Sequence, residues 1–244
     1  MSAKPLLPLR LSVKVKNWRM NDSDFAEADA EFARVRQKAL ERDEYTCRFC
    51  GFMAKAWQEV HHFNDDHADN SLDNLVTTCA YCHMCQHIGL AGSNNEATLI
   101  YLPHISQADL HHIVRTAQVA EAYQDEVKAD PKARQDAQRN AREAGDVGRA
   151  AMAALKGRQE LAKAKLLTCD PAEIANVLKM SPEDAYERRD DFLAGIRLLP
   201  LGKRSKGHTD IMRKHVETWM KPGSGAYSKL RPNSWVGQLR VVLG

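Results

Sequence analysis

Apolar positions recur along the chain with two different periods, and the change from one to the other marks out its elements. Between Leu9 and Lys16, Leu11, Val13 and Val15 alternate with polar neighbours, the period of a half-buried strand. From Asp22 to Arg42 the step becomes three or four, placing Phe25, Ala28, Phe32, Val35 and Ala39 on one helical face with Asn21, Asp22 and Ser23 available as caps. Thr98 to Leu102 is a short β-rich run stopped by Pro103, and Ser106 with Asp109 three residues on predicts a capped helix running to about Val127. Lys132 to Leu167 is rich in Ala, Arg, Lys, Gln and Glu, good helix formers. Gly145, Gly148 and Gly157 each cost a helix interior roughly 1 kcal/mol relative to Ala, so the expectation is a long, interrupted, largely exposed arm. Asp170-Pro171 and Ser181-Pro182 each read as an N-cap followed by Pro at the first helical position. A further helix is predicted over about Thr209 to Met220, and a loosely ordered tail after Pro222 with Trp235 as its one large anchor.

Composition adds little to this outline, whereas the distribution of charge adds more. The chain has 244 residues, 43% hydrophobic and 27% charged, which excludes wholesale disorder, and no apolar run approaches the ~18 residues of a membrane span. A cytoplasmic protein without membrane insertion is expected. Net charge is only +3, yet from Arg197 to Gly244 ten bases face two acids. Such a stretch is either a solvated face or a docking surface for a polyanion such as DNA.

The candidate chemistry is concentrated between residues 47 and 87. Five of the six cysteines lie there, and Cys47-x-x-Cys50 and Cys79-x-x-Cys82 form two matched knuckles with 28 residues between them. In a reducing compartment such pairs are metal ligands rather than disulfides, and four thiolates in this pattern predict a structural Zn²⁺. Gly51 gives the first knuckle the permissive backbone such turns use. Cys85 and His87 are spare ligands nearby, and Cys169 is expected to be a buried apolar residue. His61-His62, Asn74 and His83 sit between and just after the knuckles.

That constellation over roughly residues 45–87 resembles the zinc-knuckle form of the HNH endonuclease superfamily, a ββα-metal fold. The resemblance implies phosphodiester hydrolysis, with His62 as general base, Asn74 orienting the loop that presents it, and His61 and His83 holding Mg²⁺ or a similar divalent ion. Lys55, Lys203, Arg204 and Lys206 would then be available for phosphate contacts. Beyond the finger, NWR at Asn17 to Arg19, RDEYTCRFCGF at Arg42 to Phe52, NLVTTC at Asn74 to Cys79, TLIYLP at Thr98 to Pro103 and IRLLP at Ile196 to Pro200 are similar to the DotN/IcmJ family of type IVB secretion systems. That resemblance runs nearly end to end, weakest over about Glu121 to Lys165, and implies a cytoplasmic adaptor of a type IV secretion or conjugation coupling complex. Its partner would be the C-terminal extension of the coupling-protein ATPase, and such a complex would recruit it to the inner membrane. Members of that family carry eroded HNH positions, while His61, His62, Asn74 and His83 are all present here. The resulting expectation is an α+β chain: an HNH-like zinc-binding domain with the N-terminal strand and helix over residues 1–104, a helical region over 105–221 and a basic tail over 222–244. An adaptor is favoured over a metal-dependent nuclease that nicks DNA.

Overall fold

The structure, a computed structural model, describes residues 5–13, 25–66, 68–207, 209–230 and 232–243. Its architecture is α+β. Helix α1 (Phe25–Arg42) leads into the first cysteine knuckle, which an isolated bridge between Thr46 and Met53 closes. There Cys47 N–H donates to Phe52 O, Gly51 N–H returns to Cys47 O, and Gly51 takes φ +73°, a conformation open to glycine but strained for other residues. Strands β1 (Gln58–His62) and β2 (Leu75–Cys79) pair antiparallel with Gln58 opposite Cys79 and His61 opposite Val76. Helix α2 (Ala80–Gln86) starts immediately, with Cys79 as its N-cap residue, and α3 (Ile88–Ser93) follows. This is a strand-strand-helix finger. Its two faces are covered differently: α1 packs Phe32, Val35, Ala39 and Leu40 against Val60 and Leu75 on one side, while α2 carries the other.

The second half of the chain is fastened to this finger rather than strung beyond it. Strand β3 (Ala97–Tyr101) finds its partner about a hundred residues away in β4 (Ile196–Pro200), pairing antiparallel from Ala97–Pro200 to Tyr101–Ile196. Between them lie α4 (Gln107–Ala129), α5 (Gln135–Gly157), α6 (Gln159–Leu166), α7 (Pro171–Met180), α8 (Glu183–Glu187) and α9 (Arg189–Phe192). Two of the sequence caps are as expected: Ser106 accepts from Asp109 N–H, and Asp170 from Ala172 N–H. At the third, Pro182 occupies the N-cap position, one residue earlier in the helix than its first-turn role predicted. After β4 come the short hairpin β5 (Ser205–Lys206) with β6 (Thr209–Asp210), then α10 (Met212–Met220), a 3-10 turn at Ala226–Ser228 and α11 (Pro232–Arg240). One principal core runs from Leu11 to Val242. No helix among the described residues is long and apolar enough to cross a membrane.

Three expectations differ from what the chain does. Residues 9–13 form no strand: Leu11, Ser12 and Val13 are all buried, and Ser12 instead exchanges backbone hydrogen bonds with Cys85 and Ile88. Residues 14–16 of that run, like the caps of α1, lie outside the described residues. The alanine-rich arm is not an exposed extension, because α5 lies antiparallel along α4 through Ala141, Ala144, Gly145, Gly148, Ala151 and Leu155. The glycines there permit a close approach rather than interrupting the helix, and the real break is after Gly157, where α6 begins. The segment after Pro222 is ordered by packing, Trp235 meeting Tyr123 and Tyr227 edge to face, with Leu239 fully buried.

A side chain at Gly148 would start 3.0 Å from the Ala117 carbonyl oxygen, backbone that cannot step aside, whereas nothing lies within 4 Å of one at Gly157. Gly148→Val is therefore expected to destabilise the fold by roughly 1–3 kcal/mol, and Gly157→Ala to stabilise it by up to ~1 kcal/mol. Urea denaturation of both variants checks the pair; equal midpoints would contradict the packing described.

Candidate metal centre

The finger brings the four knuckle cysteines to one point. Cys47, Cys50, Cys79 and Cys82 are all buried, and their sulfurs lie within 4.8 Å of one another. The Cys50–Cys79 separation is 3.8 Å, matching the edge of about 3.8 Å that a tetrahedron of ~2.3 Å metal–sulfur bonds requires. Burial pushes the Cys79 thiol up, but hydrogen bonds from Cys50 and Cys82 outweigh it and hold it at about 6. Four buried cysteines so arranged can hold a metal ion. Cys85, a spare ligand nearby in the sequence, is outside the group, and its thiol is pushed up by burial.

Helix α4 supplies what four gathered thiolates need next, which is donors and a counter-charge. Arg115 is completely buried, donates from an Nη to Cys79 Sγ at 3.3 Å, and has no carboxylate partner among the described residues. Its guanidinium lies 3.8 Å over the Phe52 ring, with Tyr81 and Trp219 also close. Burial alone would lower its pKa; the charge at Cys79 and Cys50 more than offsets this and raises it. A buried unpaired cation is prohibitively costly, so the anionic sulfur cluster is the counter-ion that explains it. His111, one turn earlier, has a fixed tautomer. Gln107 is locked onto Leu198 through both its amide oxygen and nitrogen and donates to His111 Nε2, which leaves Nδ1–H to donate to Cys82 Sγ at 3.3 Å. Burial keeps that imidazole neutral, its pKa pushed down to about 3. His112 is held in the same way: Arg115 donates to its Nδ1, so its Nε2–H donates to Cys50 O.

A second group forms on the α2 face of the hairpin. His61, His83 and His87 offer ring nitrogens within 4.8 Å of one another, their rings 5.0–5.4 Å apart. Strand alternation puts Glu59 on the same face as His61, and His83 Nδ1–H donates to its carboxylate. Arg204 grips Glu59 with two nitrogens at 3.0 and 2.5 Å and reaches Glu96 with a third. Burial would raise the Glu59 pKa; His83 and Arg204 together reverse that and hold it at about 2. A carboxylate behind an imidazole is how metal-binding histidines are oriented, with the other ring nitrogen left for the ion.

The same alternation separates His61 from His62. His62 lies on the α1 face, stacked on Phe32 at 5.3 Å and bonded through Nε2 to Asn70 Oδ1 at 3.0 Å. Asn74 ties the loop between the strands, accepting from Asn64 N–H and donating to Asp69 O. His61 and His62 are thus turned to opposite sides of the hairpin, with Asn74 in the loop beside His62. His87, named from sequence only as a spare ligand, joins His61 and His83; its spacing of four from His83 was the signal. Arg204 binds carboxylates instead of standing free for phosphate. Glu59, His111 and Arg115 were missed, although Gln107, His111 and Arg115 recur every four residues on α4. Polar residues at that spacing read as a solvated stripe.

Removing one ligand and removing the counter-charge are expected to differ. Cys50→Ser should lose the bound metal and the cooperative melting of the fold, since binding and folding free energy are shared. Arg115→Met keeps all four sulfurs and should weaken metal retention by roughly 10–100-fold. Metal content and competition with a chromogenic chelator measure both; wild-type retention in Arg115→Met would overturn the role given to that residue.

No protein-family model matches the sequence. The chain is similar to the type 4 apparatus protein DotN of Legionella pneumophila subsp. pneumophila, strain Philadelphia 1, with 31% identity over 216 residues that cover 86% of this chain and 88% of the relative. Identity at that level across nearly the whole length of both proteins means that the chain belongs to the DotN family.

Proposed function

We propose that this chain is an adaptor of a type IV secretion or conjugation coupling complex, held in shape by a structural Zn²⁺ at Cys47, Cys50, Cys79 and Cys82, and that its partner is the coupling-protein ATPase. The observation that carries the reading is the length of the likeness to DotN, a type 4 apparatus protein, which extends far beyond the finger. Zinc is supported by the donor set: four thiolates at tetrahedral spacing suit this ion and leave no open position for chemistry. An adaptor so built works in the cytoplasm and reaches the inner membrane through its complex. Co-expression with the C-terminal extension of the coupling ATPase of the same secretion system is expected to give a 1:1 complex with Kd of roughly micromolar or tighter. Separate elution of the two on size exclusion would sink the adaptor reading.

A second reading, a metal-dependent HNH endonuclease acting on DNA, is favoured by the group of His61, His83 and His87 with Glu59 behind His83. Mg²⁺ or a similar ion held there supplies stabilisation for charge on a leaving phosphate oxygen. His62 is the candidate base in that reading and Asn74 fastens the loop beside it. Nicking of supercoiled plasmid in Mg²⁺ or Mn²⁺, lost in both His83→Ala and His62→Ala, is the result that reading requires. Intact plasmid under those conditions removes it and leaves the adaptor.

A further inference from the structure

Trp57 is held in a way that its place in the fold does not require. It takes φ +66°, a conformation that bulky L-residues rarely adopt, immediately before β1. One face of its indole lies parallel to the His215 ring at 4.6 Å, and its Nε1–H donates to Thr218 Oγ1 at 3.1 Å. His215 beneath it is buried, with neither ring nitrogen hydrogen-bonded, so it serves there as a flat packing surface. Trp57 itself remains 39% exposed. A strained backbone, a ring backed by another ring and an anchored edge together fix a large aromatic surface toward solvent, against the usual tendency to bury it.

Three exposed lysines lie on the segments that hold that ring. Thr218, which anchors the indole, also donates to the carbonyl of Lys214 one turn back on α10. Lys55 is two residues before Trp57, and its N–H donates to Ser224 O, while Ser224 N–H and Oγ both reach the carbonyl of Lys221. The side chains of Lys55, Lys214 and Lys221 are exposed, and none of them forms a salt bridge among the described residues. The nearby acids are engaged: Glu217 pairs with Arg213, and Asp210 accepts from the backbone of Arg204 and Met212.

We propose that this face binds single-stranded nucleic acid, with an unpaired base stacked on Trp57 and the flanking phosphates held by Lys55, Lys214 and Lys221. An exposed, rigid indole among lysines is the combination that single strands exploit, because every base offers a π-face and every phosphate a charge. An acidic peptide would use the lysines and leave the ring idle; a duplex, its bases already stacked, would do the same. The inference deepens the expectation of a nucleic-acid partner at the basic C-terminal region. It stands or falls apart from hydrolysis, since it needs neither His83 nor a divalent ion.

The test is fluorescence anisotropy of a labelled oligothymidylate with the full-length protein at low salt and no added divalent ion. Binding is expected to weaken about 5- to 100-fold in Trp57→Ala and to be largely retained in Trp57→Phe. Lys214→Glu with Lys221→Glu should lower the slope of log K against log salt by about 0.7 for each phosphate no longer held. Thermal melting of each variant identifies one that fails to fold, and the Trp57→Phe and lysine variants decide the matter if Trp57→Ala is such a one. No binding by the wild type, unchanged binding by folded Trp57→Ala, or equal competition by polyglutamate or by duplex would each overturn the proposal. Plasmid nicking, read separately on the same samples, reports on the endonuclease reading without bearing on this one.

Discussion

The rest of the molecule depends on a guanidinium buried against four sulfurs. Arg115 has no access to water and no carboxylate among the described residues, so its charge is tolerable only if the cysteines beside it are anionic. Four adjacent thiolates are in turn tolerable only with cations among them. A divalent ion in a four-thiolate cage leaves two negative charges, and one arginine offsets half of that excess, with His111 Nδ1–H and His112 Nε2–H supplying neutral donors around it. Each group would be intolerable alone. Together they tie the two knuckles to α4, and through Phe52, Tyr81 and Trp219, whose rings surround the guanidinium, to α10 as well.

This explains why the cysteine centre is not a detachable finger. Residues joined to it come from both ends of the chain: Leu7 N–H donates to Arg48 O inside the first knuckle, and Ala54 bridges to Gly225 near the other terminus. The hairpin carries a different group on each side as a consequence of strand geometry. Successive residues point opposite ways, so His61 meets His83 and His87 while His62 meets Phe32 on α1. Arg204 then connects the histidine face to the β4–β5 connection through Glu59 and Glu96. Both groups therefore take part of their surroundings from the C-terminal half.

The sequence made local features legible and long-range ones much less so. The cysteine knuckles, α1, β3 and the start of α4 were readable because a cap, a period or a ligand pair lies within a few residues. The partner of β3 was not, since IRLLP is an apolar run too short to declare its pairing, and its match is about a hundred residues distant. The glycines of α5 misled for a related reason: propensity counts their cost to an isolated helix and omits the close approach to Ala117 that they permit. Arg115 was invisible because a charged residue reads as solvated until the anion that neutralises it is brought beside it by folding. The surroundings of His62 were equally hidden, since only the pleat shows that it is turned toward Phe32 on α1 while its neighbour His61 faces His83 and His87.

The two groups on the finger also differ in what change they can absorb. Four sulfurs around one point, with an arginine that has no carboxylate partner among the described residues, form an arrangement in which losing the arginine leaves the buried sulfur charge without its cation, so the centre is suited to shape rather than turnover. The histidine group is held by weaker means. His83 and His87 are only half-buried, and the carboxylate behind His83 has Arg204 as a second partner, so it remains paired when the histidine is lost. Histidines can therefore be replaced on that face with fewer buried groups left unpaired than at the cysteine centre, where the sulfurs and Arg115 are buried together.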